Sequence, residues 1–134
     1  MVSKAAKRTV TDTNHIQEET MRFILMGMVT KESEAAAAPP TAEQFAAMQR
    51  YNEELAKAGI LLAAEGLTAT SKGARVKFSG DKRTVIDGPF TESKELVAGF
   101  SIWQVRSMEE AVDWARRCPD PMPGEEAELE IRPV

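Results

Sequence analysis

Four ionisable side chains fall between residues 84 and 95, in TVIDGPFTESKE: Asp87, Glu92, Lys94 and Glu95. Asp87 closes an apolar run of Thr84, Val85 and Ile86. A carboxylate on a rigid strand end beside a cleft can bind a cationic group. It can also act as a base if its pKa is raised. The same letters spell a turn. Asp-Gly is turn chemistry, Gly88 allows a positive φ or close packing, and Pro89 restricts its neighbour. In that reading Asp87 accepts backbone N–H bonds, and the two roles can coexist. Lys94 could hold an anion or neutralise Asp87, or it sits on a solvated loop.

Three further side chains are candidates for ligand binding. Glu65 ends an apolar run next to Gly66, and a buried carboxylate there would need a partner. Tyr51 belongs to an apolar helical face, with a hydroxyl able to reach an edge or cleft. Arg22 opens the first strand and could pair with an acid of the site or of a dimer partner. Metal is not expected. The single histidine, His15, lies in a polar leader stretch, and no calcium-loop spacing occurs. The lone Cys118 shares an apolar face with Trp114, which reads as packing. Neither a phosphate-cradling glycine loop nor a G-x-S-x-G elbow is present, and no cofactor is expected.

The chain that must position these groups has 134 residues, enough for one domain with a real core. An apolar share of 43% and a charged share of 28% mark an ordinary globular composition. The net charge of −4 argues against a broad nucleic-acid footprint. No run of eighteen apolar residues exists, so no spanning helix and no membrane partner are expected. The opening residues lack the apolar core of a secretory signal. Together with the single cysteine, which fits a reducing compartment, this makes a cytoplasmic location the expectation.

Residues 1–20 read as a flexible arm and 21–134 as the domain. RFILMGM (22–28) is a compact apolar run and reads as a strand. Residues 29–40 read as a loop with room for a short helix, ended by Pro39 and Pro40. Thr41 and Gln44 have capping-box spacing. Phe45, Met48, Tyr51, Leu55 and Ala58 then form one helical face ending at Gly59. Strands follow at 60–67, 74–80, 83–86 and 97–105, with Gly80–Asp81 as a hairpin turn. Ser107 and Glu110 propose a second capping box, and AELEIRPV (127–134) alternates as a last strand.

This order predicts a mostly antiparallel sheet with both helices on one face. The core is βαβ–βαβ-like, with the 74–86 hairpin as an insertion. The second sheet face is an interface candidate; Trp103 and its alternate neighbours are candidates for it, with their side unassigned. A homodimer closing two sheets against one another is one expectation; a monomer with a mixed sheet and one polar face is the other.

Six stretches carry a family pattern: MRFILMG (21–27), AGILLAAEGL (58–67), ATSKGARVKFSG (69–80), DGPFTESKELVAGFSIWQV (87–105), SMEEAVDWARRCP (107–119) and AELEIRPV (127–134). Their ordered succession resembles the YCII-related family, in its DGPF branch. The resemblance implies a ferredoxin-like α+β fold with a βαββαβ-type core, assembled as a dimeric αβ-barrel. The wider family includes a His/Asp site and relatives that remove chloride from chlorinated aromatic lactones. The body of this chain has no histidine, so only Asp87 maps onto that pattern. Some members of the branch are linked with extracytoplasmic-function sigma factors, which implies an indirect regulatory link. The expected function is small-molecule binding, or an enzyme of unassigned reaction, with a cleft near the DGPF loop. The alternative is a non-catalytic regulatory or structural homodimer.

Overall fold

The computed structural model describes residues 19–134; most of the expected arm, His15 included, lies outside the described residues. Strand β1 (Met21–Val29) is followed by two helices, α1 (Lys31–Ala36) and α2 (Ala42–Lys57). Strands β2 (Leu61–Gly66), β3 (Ala74–Ser79), β4 (Lys82–Asp87) and β5 (Leu96–Val105) come next, with one 3₁₀ turn at Thr70–Lys72. Helix α3 (Met108–Ala115) and strand β6 (Ala127–Pro133) complete the chain.

Four strands form one sheet in the order β2-β5-β1-β6. Every neighbouring pair is antiparallel, an arrangement compatible with a ferredoxin-like α+β fold. β3 and β4 form a separate antiparallel hairpin, with Val76 opposite Val85. Among the described residues no helix is long and apolar enough to cross a membrane.

Capping explains where the helices begin. The Thr41 hydroxyl accepts from the Gln44 backbone N–H, and the Gln44 side chain accepts from the Thr41 N–H. Gly59, at φ 76°, ends α2 in a conformation that a side chain disfavours. The short helix α1 occupies the stretch read as a loop, because Thr30 caps it by accepting from Ser33 N–H. At α3 the second box closes differently. Ser107 accepts from Glu110 N–H, but the Glu110 carboxylate reaches past Ser107 to the Arg106 N–H at 2.9 Å.

The core gathers Phe23, Leu25, Tyr51, Leu55, Ile60, Trp103, Val105 and Ala111. Both α2 and α3 therefore press on one face of the sheet, as the helix count required. Tyr51 and Leu55 are buried on α2, but Phe45, in its first turn, is 61% exposed. Trp103 is 2% exposed on this helix-covered face, which settles the side that alternation left unassigned and removes it from the interface candidates. Its neighbour Phe23 pairs with it across β1 and β5, and both side chains share the core. The Trp103 indole N–H has no acceptor among the described residues.

Cross-strand partners share a face. The opposite face therefore carries Ile24, Met26 and Met28 of β1 with Phe100, Ile102 and Val97 of β5. Val97 joins them because Ala98 is an unpaired extra residue in β5, which also turns Leu96 inward beside Val29. Glu128 and Glu130 flank this apolar strip on β6, and Glu65 flanks it on β2. Both faces of the β3–β4 hairpin are exposed.

Candidate functional site

The sequence-predicted residues occupy separate places. Asp87 ends β4 opposite Ala74 and is exposed, and its carboxylate accepts no hydrogen bond from a described residue. Its expected role as the acceptor of turn N–H groups is thus not realised. Glu65 lies on the open sheet face opposite Phe100, exposed and in no need of a buried partner. Arg22 is on the same face, opposite Gln104, and is also exposed. Lys94 stands exposed on the loop before β5.

Tyr51 is on the other side of the sheet, in the core. Its hydroxyl donates to the Trp114 carbonyl at 2.7 Å and so joins α2 to α3. Burial, followed by the nearby Cys118, pushes its pKa well above the usual phenol range. The phenol is a structural donor here. Cys118 is half-buried beside it. Burial first and Asp120 second hold its thiol up in the protonated form. Such a thiol is a poor nucleophile. Among the described residues no group of three His, Cys, Asp or Glu side chains could hold a metal ion.

What the fold does build is a fastening around the DGPF loop. The Glu34 carboxylate accepts from the Thr70 N–H at 3.0 Å and from the Thr70 hydroxyl at 2.8 Å. The Thr70 oxygen in turn accepts from Phe90 N–H at 3.4 Å. Gly88 N–H donates to the Gly73 carbonyl at 2.9 Å, and the Gly88–Pro89 peptide is cis. A Cβ on Gly88 would collide with the Thr70 carbonyl oxygen, so the close approach requires glycine. Arg75 lies over the Phe90 ring, 3.9 Å from its centroid, and donates to the Ser93 hydroxyl at 3.0 Å. Helix α1, the 69–73 turn and the 88–93 loop are thereby tied together.

A recess of about 260 Å³ opens between them. Ala35, Ala69, Pro89, Phe90 and Leu96 give it an apolar wall; Lys31, Glu34, Thr70, Ser71 and Thr91 supply polar groups. Glu34 is already engaged by Thr70, which leaves Lys31 as a cation at the rim and the Ser71 and Thr91 hydroxyls as adaptable donors and acceptors. A concave, mostly apolar surface with a few polar groups is suited to a small organic ligand. Asp87 precedes this wall by two residues and does not line it.

Sequence reading overlooked Lys31, Glu34, Thr70 and Phe90. Thr30 before Glu32, Ser33 and Glu34 is a capping signal that points to α1. Nothing local links Glu34 to Thr70, 36 residues on.

An antiparallel α+β domain with a loop-built recess beside its sheet is the class these features define. The chain belongs to the YCII-related family, whose domain matches residues 21–134. It is also similar to an uncharacterized protein of Rhizobium meliloti (strain 1021), 34% identical over 90 residues, covering 67% of this chain and 69% of that protein.

Proposed function

We propose that the protein binds a small organic molecule in the recess framed by Lys31, Ser71, Phe90 and Thr91. The observation that carries this reading is the fastening of three separate connections around one concave apolar wall. Preorganised walls lower the ordering cost of binding. Lys31 at the rim favours a ligand with an anionic or strongly accepting group. Asp87 is the acid–base candidate if binding leads to a reaction, since it adjoins the same loop.

A fragment library of small organic acids and amides, screened by NMR on the labelled protein, tests this. Binding should perturb the amides of Thr70, Ser71, Phe90 and Thr91 together. Binders that perturb only other regions, or a library without binders, would overturn the reading. Titration of the Asp87 carboxyl with and without a binder separates its role. An unresponsive Asp87 leaves the recess standing as a binding site and removes the catalytic assignment.

A second reading concerns assembly. The open sheet face carries Ile24, Met26, Met28, Phe100 and Ile102, and the core-forming helices lie on its opposite side. A second copy of the chain would cover it, giving a dimeric αβ-barrel of two ferredoxin-like βαββαβ cores, each with the β3–β4 hairpin as an insertion. The DGPF branch of the family is the assignment that Asp87–Phe90 supports. An indirect tie to sigma-factor regulation is part of that branch reading, as is the cytoplasmic location favoured by a single cysteine. Analytical ultracentrifugation of the wild type and Ile102→Glu tests the dimer, which the charge should separate into monomers. A wild type that sediments as a monomer at high concentration counts against it.

A further inference from the structure

We propose that the recess selects a small aromatic monocarboxylate, with its ring on the apolar wall and its carboxylate at the rim. The proposal rests on the small-molecule reading of that recess and names the ligand class.

The polar groups decide the charge. Each of the three fastened connections brings one donor to the recess: Lys31 from α1, Ser71 from the turn at Thr70–Lys72, and Thr91 from the 88–93 loop. None of these three side chains bonds to a described residue. An ammonium only donates, and both hydroxyls can turn their protons toward one ligand group. The acceptor-only group of the lining, the Glu34 carboxylate, is occupied. Its Oε1 takes the Thr70 hydroxyl and its Oε2 the Thr70 N–H. The complement of three unengaged donors is a group that only accepts, which is the chemistry of a carboxylate. Glu34 also limits the number of charges. One anion pairs with Lys31, whereas a second would meet the Glu34 carboxylate in the same recess.

Burial decides the orientation. Lys31, Ser71 and Thr91 are exposed, so a carboxylate among them stays hydrated and escapes the cost of a buried charge. Leu96 is 3% exposed and Phe90 is half-buried, so the apolar body of the ligand points inward. Arg75 covers one face of the Phe90 ring and is not part of the lining. The ring is thus held from behind, and its remaining surface is a flat wall. From α1 and the 69–71 segment the apolar contributions are only Ala35 and Ala69, side chains short enough to admit a ring. Aromatic rings pair with such a wall in offset or edge-to-face contact. At about 260 Å³ the recess falls below the roughly 300–1,000 Å³ of sites for drug-sized ligands, which suits a single ring. Lys31 rides on a helix anchored from two directions. Glu34 grips Thr70, and the buried Ser33 hydroxyl donates to the Glu126 carbonyl at 3.2 Å.

NMR titration of the full chain with benzoate tests this. Benzoate should shift the amides of Ser71, Phe90 and Thr91 together. It should bind about fivefold more tightly than benzamide, the upper size of an exposed ion pair. Isophthalate, with its second carboxylate, and the puckered cyclohexanecarboxylate should both bind more weakly than benzoate. Lys31→Met should lower benzoate to the affinity of benzamide, and Lys31→Arg should restore the preference, with amide dispersion confirming the fold of each variant. Benzamide or isophthalate binding as tightly as benzoate overturns the monocarboxylate assignment. Cyclohexanecarboxylate matching benzoate overturns the aromatic one. These comparisons use the unaltered chain, so they decide the matter whether or not the Lys31 variants fold. If other fragments occupy the recess and benzoate does not, the ligand class alone is overturned and the binding site stands. If no fragment of any class shifts these amides, the binding reading fails and the ligand class with it.

Discussion

Glu34 grips Thr70 twice, through its backbone N–H and its hydroxyl, across 36 residues of chain. Charge-assisted bonds of this kind are stronger than neutral ones. Removing the carboxylate strands two donors that water only partly reaches. Glu34→Ala should cost about 1–2 kcal/mol in urea unfolding. Thr70→Val removes one of the two bonds. A double-mutant cycle should show coupling of at least about 0.5 kcal/mol. Amide exchange at Phe90 should quicken in both variants, since its N–H donates to Thr70.

Gly88→Ala tests the close approach of the DGPF loop to the turn at Thr70. The obstructing atom is a backbone carbonyl, so a small side-chain adjustment cannot relieve the clash. The expected loss is roughly 1–3 kcal/mol. Chemical shifts from Thr70 to Gly73 should move along with those of the loop. A variant as stable as the wild type, with unchanged shifts at Thr70, would refute the contact.

Asp87→Asn makes the opposite statement about the neighbouring position. The carboxylate is exposed and bonded to no described residue. Unfolding free energy should change by less than about 0.5 kcal/mol. A loss of several times that size would return Asp87 to the architecture of the turn.

Tyr51→Phe removes the hydroxyl that reaches from α2 to the Trp114 carbonyl. The same carbonyl also accepts from Arg117 N–H, so it is not left empty. Arg117 ties the helices a second time, through Glu54 at 2.8 Å and the Trp114 ring at 4.1 Å. The variant should lose about 1 kcal/mol in denaturant titration, with the fold intact.

Glu110 makes stability depend on acid. The Arg106 backbone N–H, joined by hydrogen bonding from its guanidinium, holds the carboxyl below its ordinary value of 4.5. The folded-state value is the lower one. Its contribution is therefore complete above 4.5 and fades as pH falls through the folded value. Glu110→Ala should cost about 1 kcal/mol at neutral pH, and the gap to wild type should narrow in strong acid.

Periodicity and capping were enough to read most of the frame. Thr41 and Gln44 announce α2, and Ala127, Leu129 and Ile131 announce the inward side of β6. Sidedness was harder where both faces of a strand are apolar. In VAGFSIWQV, Phe100 and Ile102 compete with Trp103 for the core, and alternation cannot say which set wins. The register against Phe23 and the helices decides it. In the hairpin, alternation puts Val76, Phe78 and Val85 on one side, and all three are exposed, so an alternating pattern alone does not mark a buried face. For the candidate site, Asp87–Gly88 drew attention to a loop that the fold fastens at Gly88 and Phe90 and not through the Asp87 carboxylate. Its geometry depends on the absence of a side chain at Gly88, and on a clamp whose halves lie far apart in sequence.

The recess has one more consequence, for how such proteins diverge. Of the residues lining it, only Leu96 belongs to a strand of the sheet. The rest sit on the short helix α1, the 69–71 segment and the 89–91 loop. Under the proposed binding role, substitutions at Lys31, Ala35, Ser71 or Thr91 would reshape ligand preference while the strand register stays untouched. Selection can then act on the recess and on foldability at separate positions.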